Sequence, residues 1–198
     1  NYRLIVGASA VGRKFGNIVN LIKKDGFKVH HKINNNVESS GLDSMVKTTA
    51  LGMLELAEIF KNHKPDLVFT VGDRFETMAT AITSSYMNIP LAHTMGGEVT
   101  GTIDESVRHA ITKLSHIHFP ATELSKKRLI KMGEDPKFIF NFGCPAMDEI
   151  AEIDLDLGFD FFNCSGGSGD AIDQTKDYLV VLQHPVTTEY GNETTNIE

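Results

Sequence analysis

The sequence is poor in cysteine. Cys144 and Cys164 are the only two among 198 residues, far apart and in no C-x-x-C arrangement. That argues against a disulfide framework and makes a reducing cytoplasm the default compartment. No apolar run reaches the roughly 18 residues of a membrane helix, and no secretory signal pattern is present. The chain opens on YRLIVGA without an initiator Met, so residues are expected upstream, and any targeting segment would lie there. Basic runs are also missing. Lys and Arg are scattered and the formal net charge is −7, which argues against nucleic acid or an anionic membrane as the main partner. An anionic small molecule is still admissible, because a local cluster can oppose the net charge. GASAVGRKFG has glycines but fits neither G-x-G-x-x-G nor a P-loop, which disfavours P-loop hydrolysis. The pair His116-x-His118 has no third ligand at a sensible spacing, so no metal site is expected. Internal repeats are absent.

What is present is ordinary for a soluble globular chain: 41% hydrophobic and 23% charged residues. The length suits one full domain and part of another. Apolar strand-like runs alternate with amphipathic helical runs. The strand candidates are 2–7, 66–72, 89–93, 116–120, 138–142 and 178–182. The helix candidates are 17–24, 42–61, 75–87, 104–115, 123–132 and 146–153. The strand runs are mostly continuous rather than alternating, as in strands covered on both faces. The fold class is therefore α/β, a doubly wound parallel sheet with helices on both faces. Residues 1–153 form the domain. The acidic, glycine-rich stretch 154–176 reads as a linker or irregular connection, and 177–198 as the first strand and loop of a second domain.

Open parallel sheets bind ligands beyond the carboxyl ends of their strands, and two such ends carry acid and base together. In VGDRFET, Asp73 reads as a helix N-cap with Glu76 completing a capping-box-like pair, or as a site carboxylate. Arg74 opposes the helix macrodipole and needs an anion, either a neighbouring carboxylate or a bound phosphate. In HTMGGEVTGTIDESVRHAITK, Thr102 and Glu105 form a helix-start signature. Asp104–Arg108 and Glu105–His109 sit four apart, as in a solvated salt-bridged face. Two features point instead to a site. Gly96, Gly97 and Gly101 let backbone approach a ligand closely, and His93 and Glu98 have no helical role. In LQHPVTT, His184 follows a strand and precedes a proline that holds it extended. Lys126-Lys127-Arg128 reads as a solvated helix face.

VGDRFETMATAI, HTMGGEVTGTIDESVRHAITKLSHIHF, MGED, GCPAMDEI and DYLVVLQHPVTT, in this order and spacing, resemble the hydrolysing UDP-N-acetylglucosamine 2-epimerases. These include bacterial enzymes of sialic and legionaminic acid synthesis and the epimerase half of the animal bifunctional epimerase/kinase. The resemblance implies two Rossmann-like domains in a glycosyltransferase-B arrangement. This chain would hold most of the first, without its opening strand and arginine-bearing loop, and the first strand of the second. It implies inversion at C2 of a UDP-linked 2-acetamido sugar by elimination and hydration, with no redox cofactor or metal. By the same resemblance Asp73 and Asp104 are acid/base carboxylates, His184 contacts the nucleotide-sugar, and Arg108 and His109 support the acids or the diphosphate; Glu98 is a further candidate catalytic carboxylate, and Arg74 and His93, at the two strand ends, are further candidate substrate-binding residues. Many relatives carry a glutamate where this chain has Met95. Either Glu98 takes over that carboxylate's work or fewer carboxylates are used, and a more apolar pocket would suit a 6-deoxy diacetamido sugar. Family members form dimers or tetramers, so homo-oligomerisation is a further expectation that no residue here specifies. The alternatives are a non-hydrolysing 2-epimerase, favouring G-D-T over the G-D-R found here; a glycosyltransferase of the same architecture; and a nucleotide-sugar-binding fragment with little activity of its own.

Overall fold

A computed structural model describes residues 1–12, 16, 18–37, 42–154, 169–170, 172–173 and 175–182. The chain divides into two compact units, Asn1–Gly143 and Cys144–Glu198.

The first unit runs β1 (Leu4–Val6), α1 (Ile18–Lys24), β2 (Val29–Lys32), α2 (Leu42–His63), β3 (Val68–Val71), α3 (Phe75–Tyr86), β4 (Leu91–Thr94), α4 (Ile103–Leu114), β5 (Ile117–Phe119) and α5 (Glu123–Lys131). All strand pairs are parallel: β1 with β2, β3 with β4, and β4 with β5. The α/β reading and every helix foreseen in this unit are present. β2 was not foreseen, because VHHK is not an apolar run. The 138–142 run, expected as a strand, is instead a 3₁₀ turn at Pro136–Phe138 followed by one parallel bridge, His118 to Ile139.

Helix ends are set by local chemistry. In α3, Asn88 takes φ 56° and donates to Ser85 O, while Ile89 N donates to Ser84 O, which is a Schellman stop. Gly133, at φ 93°, ends α5 in the same way, with Glu134 N on Leu129 O. One face of the sheet buries Val68, Thr70, Leu91 and His93 toward the helices. Ile33, Leu56, Phe60, Val68, Ala79, Leu91 and Ile111 join in a single core. On the other face Phe69 and Val71 are exposed.

The second unit carries α6 (Pro145–Glu152), with proline in its first turn. Residues 178–182, expected as a strand, have no ladder partner among the described residues and their side chains are exposed.

Candidate active site

The carboxyl ends of β3 and β4 lie side by side because the ladder sets Thr70 beside His93 and Val71 beside Thr94. Asp73 leaves β3 one residue past Gly72, whose φ is 84°. The N-cap of α3 is Arg74, not Asp73, and no side chain caps it. Asp73 is engaged elsewhere. Its Oδ2 accepts from Arg108 Nε at 2.9 Å and also from Arg108 Nη2. The capping reading of Asp73 is overturned because a buried guanidinium outcompetes a helix end for its charge.

Arg108 is 2% exposed. Besides Asp73, it donates from Nη1 to Glu98 O at 2.7 Å and reaches Thr100 Oγ1 at 3.5 Å. The expected surface pair Asp104–Arg108 does not form. Arg108 turns inward, and Asp104, partly buried one turn nearer the start of α4, makes no ion pair among the described residues. Arg108 acts as a brace. It joins the β3 turn to the glycine loop.

The loop from Met95 to Gly101 is tied down by charge. Arg128 on α5, expected to be solvated, donates to Gly97 O at 3.2 Å. Glu105 Oε2 accepts from Thr100 N and Gly101 N, both at 2.7 Å. These bonds hold the Glu105 carboxyl below its ordinary range. Gly97 has φ 82°, and a Cβ there would stand 2.4 Å from Ser125 O; one at Gly96 would stand 3.2 Å from Thr112 Oγ1. Gly96 and Gly97 therefore permit close approach to α4 and α5, whereas a Cβ at Gly101 would meet nothing within 4 Å. Met95, also left-handed at φ 64°, donates its N–H to Phe119 O.

His93 is fully buried. Its Nε2 lies 2.7 Å from Gly72 O, so Nε2 carries the proton and Nδ1 is an acceptor without a partner. Burial pushes its pKa down, against the pull of the Gly72 carbonyl. His93 supports the turn that presents Asp73. Arg74 pairs with Glu76 at 3.1 Å and lies over the Phe75 ring. It and Asp73 line a cleft of about 250 Å³ with Gly7, Ser9 and Thr77. Glu98 is partly buried, with its carbonyl on Arg108. His109 is partly buried, and its Nε2 has no hydrogen-bond partner among the described residues. His184 lies outside the described residues. No group of three metal-ligating side chains occurs among the described residues, nor any helix long and apolar enough to cross a membrane.

The whole chain, residues 1–198, matches the family model described as UDP-N-acetylglucosamine 2-epimerase. The chain belongs to the UDP-N-acetylglucosamine 2-epimerase family. Among curated relatives of this chain, a UDP-N,N'-diacetylbacillosamine 2-epimerase (hydrolyzing) from Legionella pneumophila is 43% identical over 175 residues, 88% of this chain and 45% of the relative. A GDP/UDP-N,N'-diacetylbacillosamine 2-epimerase (hydrolyzing) from Campylobacter jejuni is 32% identical over 197 residues, 96% of this chain and 48% of the relative. The chain thus spans about half the length of these relatives. In fold it is similar to the UDP-GlcNAc 2-epimerase from Neisseria meningitidis bound to UDP-GlcNAc, with a TM-score of 0.63 and 20% identity over 75% of this chain and 47% of that one. The UDP-GlcNAc 2-epimerase of Methanocaldococcus jannaschii in complex with UDP-GlcNAc and UDP gives a TM-score of 0.58 at 20% identity, over 82% of this chain and 54% of that one.

Sequence reasoning missed Arg128 and the inward turn of Arg108. Arg108 had a signal: it falls among Ile111 and Thr112 on the buried side of α4. Arg128 had none, since its target is a carbonyl 31 residues away.

Proposed function

We propose that this chain is the carboxylate-bearing half of a hydrolysing 2-epimerase acting on a UDP-linked 2-acetamido sugar. The observation that carries the reading is Asp73, a carboxylate at a strand's carboxyl end, lining a cleft and held by a buried arginine that also braces the Glu98 loop. Such a carboxylate is fixed in place while part of it stays open to solvent, as a general base requires.

Asp73, Glu98 and Asp104 are the acid/base set. One carboxylate takes the C2 proton as the C1–O bond to UDP breaks, leaving a C1=C2 glycal and UDP. Water then adds hydroxyl at C1, and a proton returns to C2 on the opposite face. The products are the free manno-configured sugar and UDP. Arg74, His109 and His184 serve the nucleotide-sugar, the two histidines as neutral or charged donors and Arg74 as a cation for the departing diphosphate. The substrate is a UDP-2,4-diacetamido-trideoxyhexose, supported by the 43% identity to the Legionella relative and by Met95 at the strand end. UDP-GlcNAc is the competing sugar. A second Rossmann-like domain completes the cleft in the glycosyltransferase-B manner, with residues 154–176 as the connection. The setting is cytoplasmic synthesis of sialic- or legionaminic-acid-type sugars by a homo-oligomer.

The test is the full-length protein with each UDP-sugar in D₂O, followed by NMR. Free manno-sugar carrying one deuterium at C2, plus free UDP, is expected. A 2-epimer still linked to UDP indicates the non-hydrolysing reaction, and an unlabelled C2 rules out elimination. Preference for UDP-GlcNAc removes the diacetamido assignment.

A further inference from the structure

The turn at 132–135 (MGED) does not line the cleft, yet its shielded carboxylate, Glu134, is held from two sides. Gly133 ends α5 at φ 93°, and Glu134 N on Leu129 O fixes the backbone that follows. The Glu134 side chain is only 13% exposed. Its Oε1 accepts from Lys113 Nζ at 2.6 Å, and its Oε2 lies 3.2 Å from His118 Nε2. Lys113, in the last turn of α4, also donates to Met132 O at 3.2 Å.

His118 on β5 stands directly opposite His93 on β4. Neighbouring strands lie about 5 Å apart, so these two residues share one face at close range. Both rings are buried, at 1% and 0% exposure. Each has a partner at Nε2, Glu134 for His118 and Gly72 O for His93, and neither has one at Nδ1 among the described residues. Two polar links therefore meet at this ladder pair. One runs from Lys113 through Glu134 to His118. The other runs from His93 to Gly72 O, and so to the turn that presents Asp73. Buried imidazoles this close oppose each other's charge, and the pair takes up protons one before the other. Burial works against a charge on either ring. The groups around them divide by end. Glu134 favours a proton on His118, while Lys113 and His116 oppose it. The Gly72 carbonyl and Asp73 favour a proton on His93, while His118 and Arg108 oppose it. Asp73 is already committed to Arg108, whereas Glu134 sets its second oxygen against His118 itself.

We propose that His93 and His118 form one coupled proton site beneath the cleft, and that Glu134 is its remote positioning residue. Glu134 draws the first proton to His118. His93 then stays neutral, with its Nε2–H on the Gly72 carbonyl and no added cation beside Arg108. The Asp73–Arg108 pair keeps its geometry to lower pH as a result. The effect on catalysis rests on the reading of Asp73 as an acid/base carboxylate; the coupling of the two imidazoles does not.

The test follows both imidazoles in the full-length protein by nitrogen NMR through an acid titration, with the pH dependence of kcat/KM measured alongside. In the wild type, His118 is expected to take its proton first. Glu134→Gln should lower the His118 midpoint by about one pH unit, through loss of the anion. The same change should raise the His93 midpoint, because a charged neighbour no longer precedes it. His118→Gln should raise the His93 midpoint as well. A contact that only holds the fold would not move the two midpoints in opposite directions. The acidic limb of kcat/KM should move up with the His93 midpoint in both variants. A His93 midpoint that stays fixed in both variants overturns the coupling, and His93 taking the first proton in the wild type overturns the role of Glu134. Should neither variant fold, that wild-type order decides alone. Midpoints that move while the acidic limb stays put overturn the positioning role. Full activity in Asp73→Asn removes instead the reading of Asp73, and the imidazole titrations still judge the pair.

Discussion

Arg108 and His93 share a position beneath the loops that carry the site, and each leads to a measurable consequence. Arg108 is a buried cation whose charge is met by Asp73 and whose remaining donors are met by Glu98 O and Thr100. Arg108→Ala leaves Asp73 without its counter-ion and the loop without its brace. A loss of about 3 kcal/mol in unfolding free energy is expected by urea titration. In a double-mutant cycle with Asp73→Asn, a coupling of about 1 kcal/mol or more is expected; additivity would show that the pair is incidental. His93 is pushed below its ordinary value of 6.5 by burial, and His118 is displaced the same way despite Glu134. The unfolded chain therefore binds these protons more readily than the folded one. Their contribution to stability is complete above pH 6.5 and is lost as pH falls through the lower folded values. The slope of unfolding free energy against pH below 6.5 should be shallower in His93→Gln, and shallower again with His118→Gln added. An unchanged slope in both variants refutes the assignment.

Among the elements, the Met95–Gly101 loop is fixed by charged side chains of the helices beside it. Its glycines suggested a backbone laid against a ligand. Gly96 and Gly97 let the loop sit on α4 and α5, where Arg128 holds the Gly97 carbonyl and Glu105 the Thr100 and Gly101 amides. Gly97→Ala forces a Cβ to within 2.4 Å of Ser125 O at a left-handed φ. A destabilisation of about 2–3 kcal/mol is expected, read from the denaturation midpoint at unchanged m-value. Gly96→Ala meets only side chains, at 3.2 Å and beyond, and should cost less; equal losses would mean that the loop shifts freely. The helices were legible because their apolar spacing and their stops at Asn88 and Gly133 are local signals. β2 was not, because VHHK acquires strand form only from its ladder to β1.

For the whole molecule, the comparison in length governs what the chain can do alone. It spans 45% of the Legionella relative, and the proposed cleft needs a second wall. The isolated 198-residue chain is expected to release UDP from either UDP-sugar at no more than about a thousandth of the full-length rate, since one wall positions the base but not the leaving group. A coupled assay for UDP measures this, and release near the full-length rate would remove the two-domain reading.

The sequence by itself determined the α/β alternation, the boundaries of the long helices and the presence of acid and base at two strand ends. Each of these follows from apolar periodicity, stop residues and chain order, which are short-range properties. Its motifs also carried enough likeness to indicate the family. Only the tertiary structure decided what the charged residues do. Asp73 and Arg108 are 35 residues apart, and their pairing turned an apparent helix cap and an apparent surface charge into one buried brace. Such choices rest on burial: a guanidinium out of water takes the partner that folding brings to it, and nothing in the local sequence states which that is.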